Sequence, residues 1–216
     1  MLKTSAVVVL FACLLSGARA DTGKVVVETA ESAPFASGGA IDILDSFGEV
    51  QVEGWDKPDV EIKISKGTGR NATPEEEARA RAKLERVKVV SSKKSADRLQ
   101  IASTVPFRNN LDLTYRIKVP RETHLTIRHD IGEVKVVNVS GNITVTNRIG
   151  EIDLRLPENQ EYEIDARSRI GGVDSQFKGK SSRPFLVGEK LVSGAPGAAR
   201  RIYLRVGIGG IEIHRH

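Results

Sequence analysis

The stretch RHDIGEVKVVNVSGNITVTNRIGEIDLRL, residues 128–156, contains nearly the same segment twice. IGEV at residues 131–134 returns as IGEI at residues 149–152, and Gly141 lies halfway between the two glycines. After each glycine, apolar and polar residues alternate, which is typical of a strand that buries one face. The repeat therefore predicts short β-strands separated by glycine turns.

The same unit occurs five times when the chain is aligned on the glycines at positions 48, 132, 150, 171 and 209. Phenylalanine or isoleucine precedes each glycine, and the second and fourth residues after it are apolar except for Ser175. One turn of such a chain cannot bury its inner face, whereas stacked equivalent turns can. We therefore expect an all-β fold of the β-solenoid type, with glycine at the corners because glycine accepts a positive φ. The alternative is an antiparallel β-sandwich with glycine in its turns, because short strands at this spacing also suit that fold.

One segment departs from the strand pattern. Thr73 can cap a helix, Pro74 suits the first helical position, and Glu76 completes a capping box. Glutamates and arginines then follow at i,i+4 spacing, which stabilises a helix. The sequence predicts a single α-helix at about residues 74–86, inserted between strands.

The first twenty residues have the features of a cleaved secretory signal. Lys3 precedes an apolar run at residues 6–15 that is too short to span a bilayer, and residues 18–20 have the small-x-small form of a cleavage site. We expect a signal peptide at residues 1–20, one domain at residues 21–216, and a periplasmic or secreted protein. Cleavage would remove Cys13, the only cysteine, which excludes disulfides and thiolate metal sites from the exported chain.

The charge balance constrains the partners. The full chain has a formal charge of +5, which falls to +3 with the loss of Lys3 and Arg19. Basic and acidic residues are mixed along the sequence, so nucleic acid is not expected as a partner. A mild positive charge is compatible with a partner protein, an anionic envelope polymer or peripheral contact with a membrane.

Three stretches resemble the bacterial putative-adhesin family DUF4097, a domain of unknown function. They are IDILDSFGEVQVEGWDKPDVEIKI from residue 41, LTYRIKVPRETHLTIRHDIGEVKV from residue 113, and the ladder of glycine units that ends in GIGGIEI. The resemblance covers roughly residues 25 to 214 and implies a right-handed, single-stranded β-helix-like fold in an exported or envelope protein, with no established activity. The sequence departs from the pattern at Ser175 and across residues 178–201, where we expect one distorted or looped-out winding.

A ladder of arginines recurs with the repeat and is the strongest candidate for a binding site. The residues, which stand four or two positions before a corner glycine, are Arg128, Arg148, Arg167, Arg169 and Arg205, with Thr146 in one equivalent position. Stacked strands lie about 4.8 Å apart, so the guanidinium groups would form a column. Such a column could bind a polyanion such as teichoic acid, lipopolysaccharide phosphate or acidic polysaccharide. The alternative is that these arginines pair with acids on neighbouring turns, such as Asp130 and Asp165.

Other clusters give weaker signals. Glu133 and Glu151 recur at equivalent positions, and paired carboxylates can perform glycosidase chemistry, but the repeat alone explains their spacing. His214 and His216 share a strand face at the C-terminal end without a third ligand nearby. The sequence therefore predicts no catalytic residue, no cofactor and no metal site.

We expect a non-catalytic, adhesin-like domain that binds a partner, or serves a structural role, at the cell envelope through a rigid repetitive β surface. Two alternatives stay open. A polysaccharide-acting enzyme could be built on a β-helix scaffold, because fold does not decide function. An envelope-stress signalling component would instead require a membrane-bound partner.

Overall fold

The computed structural model describes residues 23–95, 97–185, 187–194 and 197–216, so the predicted signal peptide lies outside the described residues. Strands β1 to β4 are Val26–Pro34, Ala40–Asp45, Glu49–Trp55 and Asp59–Gly67, and the helix α1 is Pro74–Leu84. Strands β5 to β8 are Lys88–Ser95, Arg98–Thr104, Asp112–Pro120 and His124–Ile131. Strands β9 to β13 are Val134–Val137, Ile143–Ile149, Ile152–Leu156, Tyr162–Ile170 and Val173–Ser175. Strands β14 to β17 are Gly179–Phe185, Gly188–Ser193, Arg200–Ile208 and Ile211–Arg215.

The described strands form two mixed sheets whose buried faces share one hydrophobic core. The eight-stranded sheet has the order β1-β4-β7-β3-β9-β11-β17-β13, and the nine-stranded sheet has the order β14-β15-β12-β16-β10-β8-β2-β6-β5. The central strands run parallel, whereas the strands β1, β5 and β14 at three sheet edges pair antiparallel with their neighbours. The fold is thus all-β and sandwich-like, with one helix.

Glycine corners connect the two sheets. We use the word winding for one strand of the nine-stranded sheet, a corner glycine at position 48, 132, 150, 171 or 209, and the following strand of the eight-stranded sheet. These five glycines have φ between +116° and +135°, a region that residues with a Cβ rarely adopt. A Cβ at Gly150 would overlap the carbonyl oxygen of Gly132, and a Cβ at Gly209 would overlap that of Gly150. Glycine is therefore required both for the backbone angle and for the close approach of neighbouring windings.

The windings do not stack in sequence order. Their order in space is β2–β3, β8–β9, β10–β11, β16–β17 and β12–β13, so the last winding in the sequence lies between two earlier ones. Register is kept throughout: Val145 pairs with Ile127 on one side and with Leu204 on the other. Equivalent residues of the repeat therefore lie next to one another even where the sequence order is broken.

The structure confirms the predicted stacking in part and corrects the rest. Val134 and Ile152 are parallel partners, as the repeat predicts. The prediction of a β-solenoid was too specific, because the chain forms two mixed sheets and not a closed solenoid. The stretch predicted to be irregular, residues 178–201, contains the antiparallel hairpin β14–β15, which pairs with β12. The antiparallel sandwich, the alternative, is right about two facing sheets but wrong about the direction of the central strands.

The predicted helix forms and ends at Leu84, slightly before residue 86. The carboxylate of Glu76 accepts a hydrogen bond from the backbone N–H of Thr73 at 3.1 Å, and Arg81 pairs with Glu77 at 2.8 Å. Leu84 is 1% exposed and anchors the helix to the core. In the described ranges, no helix has both the length and the apolar character needed to cross a membrane.

The apolar positions of the repeat form the core between the sheets. The residues two positions after the corner glycine, Val50, Val134, Ile152 and Ile211, are at most 1% exposed. Val173, the equivalent residue of the winding β12–β13, is only partly buried. The weaker packing of this winding agrees with the departure from the pattern at Ser175.

Replacement of Gly209 by alanine should lower the free energy of unfolding by about 3 kcal/mol, because the new Cβ would need a positive φ and would overlap the carbonyl oxygen of Gly150. The adjacent Gly210 is a matched control, since a Cβ there meets no heavy atom within 4 Å and its φ lies outside the left-handed range. Gly210→Ala should change the same quantity by less than about 1 kcal/mol. Urea unfolding compares the two variants, and equal midpoints would contradict the proposed packing of the corners.

Candidate arginine groove

A groove of about 820 Å³ lies where the strands of the nine-stranded sheet approach the glycine corners. All five arginines singled out from the repeat line it, together with residues that include Asp130, Thr146 and Gly207. The arginines are Arg128, Arg148, Arg167, Arg169 and Arg205. The fold thus brings every candidate residue into one site, which we call the arginine groove.

The order of the windings sets the order of the arginines. Arg128 is the Cα partner of Thr146, Thr146 of Arg205, and Arg205 of Arg167, across β8, β10, β16 and β12. Neighbouring strands lie about 4.8 Å apart. Stacking in sequence order would place Arg167 beside Thr146, whereas the inserted winding places Arg205 there, with Arg167 on its other side.

Arg205 is held by contacts within the chain. Its Nη2 donates to Asp165 Oδ2 at 3.0 Å, and its Nη1 donates to the backbone carbonyl oxygen of Asp165 at 2.9 Å. The guanidinium also lies 3.7 Å from the centre of the Tyr203 ring, a cation–π arrangement. For this residue the pairing alternative is correct, so Arg205 forms part of the groove wall.

Arg148 is held more weakly. Its Nε lies 3.7 Å from Asp130 Oδ1, a distance beyond that of a normal hydrogen bond. Asp130 also faces Arg108 at 3.9 Å. Exposed pairs of this kind contribute little to stability, so Arg148 can leave Asp130 for a ligand at small cost.

The contacts of the remaining three arginines, Arg128, Arg167 and Arg169, differ from those of Arg148 and Arg205. Among the residues that the structure describes, none places a carboxylate oxygen within 4.0 Å of their guanidinium nitrogens, and none hydrogen-bonds to these side chains. Arg128 and Arg169 are exposed and Arg167 is half-buried. The groove therefore contains three arginines whose charge is not neutralised by a neighbouring acid in the described chain.

A buried polar cluster lies beneath the groove. His129 Nδ1 is 3.0 Å from Asp45 Oδ2, His129 Nε2 is 3.0 Å from the carbonyl oxygen of Gly48, and both side chains are at most 1% exposed. The other carboxylate oxygen of Asp45 accepts hydrogen bonds from Ser103 and, at 2.7 Å, from Tyr115. Burial and the charge of Asp45 raise the pKa of Tyr115 above its ordinary value, so its hydroxyl remains a donor. These contacts fix the β2 and β8 ends of the groove floor.

Sequence reasoning missed this cluster, although a signal was present. The residue three positions before a corner glycine points inward, yet it is Asp45, His129, Asn147 or Ser168 in four of the five units. Asn147 donates to the carbonyl oxygen of Gly132 at 2.8 Å, and Ser168 donates to that of Gly209 at 2.7 Å. At three of these four positions the buried polar side chain therefore lies within hydrogen-bond distance of a corner carbonyl of the neighbouring winding, whereas Asp45 accepts hydrogen bonds from Ser103 and Tyr115.

The acids at the corner form a separate feature. Glu49, Glu133 and Glu151 each follow a corner glycine on adjacent windings, and none of them lines the arginine groove. Burial and the neighbouring Glu49 raise the pKa of Glu133 above its ordinary value. The acids are neighbours in one column and do not face each other across a cleft.

Among the described residues, the histidines do not form a metal centre. His214 Nε2 lies 3.2 Å from Glu212 Oε2 and 4.0 Å from Asp153 Oδ1, at the end of β17. Across the described ranges, no group of three or more histidine, cysteine, aspartate or glutamate side chains is placed to hold a metal ion.

One comparison with a solved structure supports the fold. The chain is similar to the crystal structure of a putative cell adhesion protein from Clostridium sporogenes, with 15% identity over 88% of this chain and 100% of that chain and a TM-score of 0.52. A putative adhesin from Bacteroides fragilis aligns over 87% of this chain and 97% of that chain, with 11% identity and a TM-score of 0.28. No protein-family model matches the chain, and no curated protein sequence matches it.

The acid column gives a pH-dependent prediction. Because folding raises the pKa of Glu133, ionisation of this carboxyl opposes folding, and the cost appears as the pH rises above the ordinary value of 4.5. Glu133→Gln should therefore raise the melting temperature at neutral pH and leave it nearly unchanged well below pH 4.5.

Thermal unfolding at the two pH values measures this difference. Glu28→Gln, on β1 and outside the acid column, controls for the loss of one negative charge from the chain. A Glu133→Gln variant that is stabilised to the same extent in acid and at neutral pH would show that ionisation of Glu133 is not the cause.

Proposed function

We propose that this chain is an exported, non-catalytic binding domain of the adhesin-like, β-helix-related type, and that its arginine groove binds an anionic polymer of the cell envelope. The observation that carries the proposal is the convergence of five arginines on one groove, three of them without an acidic partner in the described chain. The proposal that the protein is exported rests on the resemblance of residues 1–20 to a secretory signal.

The chemistry of arginine defines the ligand class. A guanidinium group presents a planar fork of donors that matches phosphate and carboxylate oxygens, and its charge is retained at all physiological pH values. In the groove, Arg205 and Arg167 lie side by side on the adjacent strands β16 and β12. Arg128 lies on β8, which is separated from the strand of Arg205 by β10. Charges repeated at multiples of about 4.8 Å suit a polymer that carries an anionic group on each unit.

The fixed and the free arginines have different roles. Arg205 is locked by Asp165 and Tyr203, so it supplies a rigid wall with part of its charge already neutralised. Arg128, Arg167 and Arg169 can turn towards a ligand without breaking an ion pair inside the described chain. Binding should therefore depend mainly on these three residues.

The enzyme alternative has less support. Glycosidases place two carboxyl groups on opposite sides of the bond that they cleave. Glu133 lies instead in a column with Glu49 and Glu151 at the corner. The solved structure from Clostridium sporogenes is named a putative cell adhesion protein, which favours binding over catalysis.

The test is retention on immobilised linear polyphosphate and on immobilised polygalacturonate, which present phosphate and carboxylate groups respectively. The triple variant Arg128→Gln, Arg167→Gln, Arg169→Gln should bind about 100-fold more weakly, because the net contribution of a hydrogen bond is about 1 kcal/mol for each arginine. The better-retaining matrix identifies the preferred anionic group.

A second triple variant controls for net charge. Arg70, Arg79 and Arg86 are exposed and do not line the groove, so their replacement by glutamine removes the same charge elsewhere. This control should lose only a few-fold in affinity. The proposal fails if both triple variants weaken binding equally, or if the unaltered protein passes through both columns without retention.

A further inference from the structure

A row of exposed apolar side chains borders the arginine groove. Ile149, Ile170 and Ile208 each precede a corner glycine and are 39%, 44% and 48% exposed, and Val187 is 61% exposed. Ile149 and Ile208 are Cα partners, as are Ile208 and Ile170, and the carbonyl oxygen of Val187 accepts a hydrogen bond from Gly171 N–H. The four residues form a continuous ridge about 14 Å long, which we call the isoleucine ridge.

The ridge is not needed for the core. The residues that face the core across the same strands, such as Val145, Leu204 and Ala166, are fully buried. Threonine would serve equally well at an exposed strand position, because β-branched residues of either polarity suit a sheet. A contiguous exposed apolar row beside charged residues is typical of an interaction surface.

The charges around the ridge are unevenly distributed. Arg148 and Arg169 directly precede Ile149 and Ile170, so positive charge runs along one side. On the other side, the residue after the corner glycine is glutamate in the first three windings of the stack, but Gly210 and Gly172 in the last two. The half of the ridge formed by Ile208 and Ile170 is therefore apolar and basic, without an acid at the corner.

The carboxylate of Glu189, on the adjoining strand β15, is held by hydrogen bonds within the chain. Glu189 on β15 accepts hydrogen bonds from the backbone N–H of Val173 at 3.1 Å and from the hydroxyl of Ser181 at 2.5 Å. These hydrogen bonds lower the pKa of Glu189 and hold its carboxylate. It does not form an ion pair with Arg167 or Arg169 in the described chain.

We propose that the isoleucine ridge docks on the surface of a lipid bilayer rich in anionic phospholipid. Apolar side chains on the ridge enter the boundary between headgroups and acyl chains, while Arg148 and Arg169 bind lipid phosphates. A water-soluble anionic polymer offers little apolar surface to four exposed apolar side chains. A lipid surface offers acyl chains to the ridge and phosphate groups to the arginines beside it. This inference goes beyond the proposed function, because the ridge, and not the groove alone, selects the partner.

Vesicle co-sedimentation tests the ridge with the full chain. The unaltered protein should bind vesicles rich in phosphatidylglycerol and not vesicles of phosphatidylcholine alone. The double variant Ile170→Thr, Ile208→Thr should bind the anionic vesicles about tenfold more weakly, since it removes apolar contact and leaves every charge in place. The control variant Val26→Thr, Val90→Thr changes two valines that are 45% and 57% exposed on β1 and β5, and it should bind as the unaltered protein does.

Retention on polyphosphate separates this inference from the proposed function. The ridge variant should keep full retention there, because its arginines are intact, whereas the triple groove variant should lose retention on polyphosphate and binding to vesicles together. The inference is overturned if the ridge variant binds anionic vesicles as tightly as the unaltered protein. It is also overturned if the ridge variant changes only the oligomeric state, which would assign the ridge to a second copy of the chain. Far-ultraviolet circular dichroism of each variant confirms that the strands are intact.

Discussion

The structure depends on direct contact between the backbones of successive glycine corners. At four of the five corners a glycine with positive φ presents its α-carbon to the carbonyl oxygen of the corner glycine on the neighbouring winding, with no space for a side chain between them, and Gly48 faces the carbonyl oxygen of Leu113 on β7 in the same way. Backbone hydrogen bonds such as that from Gly150 N–H to the carbonyl oxygen of Ile208, at 2.9 Å, hold the same edge. This contact fixes the register of both sheets, because a shift of one residue would place a Cβ where only a hydrogen fits. It also aligns every other position of the repeat.

The function assigned to the surface follows from this alignment. Residues before the glycine become the isoleucine ridge, outward residues further along the strand become the arginine groove, and inward polar residues bond to the corner carbonyls. The inserted winding β16–β17 then decides which side chains meet. It places Arg205 beside Thr146, where Arg167 would lie if the windings stacked in sequence order, and leaves Arg167 on the far side of Arg205. The site is thus created by the order of the stack as much as by the identity of its residues.

Much of this could be predicted from the sequence. The strands, the corner glycines, the buried valines and isoleucines and the helix α1 follow from local patterns, and the five arginines follow from their phase in the repeat. The stacking order could not be predicted, because each winding carries the same apolar spacing and fits beside any other. The sequence also left open which arginines would be paired, since a pair such as Arg205 with Asp165 depends on side-chain contacts between strands. The inward position of Asp45 and His129 was hidden because charged residues on short strands are usually exposed.

The stacking order is the central claim, and disulfide trapping tests it most directly. The described ranges contain no cysteine, and Cys13 lies in the predicted signal peptide, so introduced pairs can be read without interference. Thr144 and Tyr203 are Cα partners on adjacent strands, whereas Thr144 and Asp165 are separated by the strand β16. Under mild oxidation, Thr144→Cys with Tyr203→Cys should form a disulfide, because adjacent strands bring Cα atoms within bridging distance. Thr144→Cys with Asp165→Cys should stay reduced, since about 10 Å separates strands that are two apart. The reverse result would show that the windings stack in sequence order, and the arrangement of the arginine groove would then be wrong.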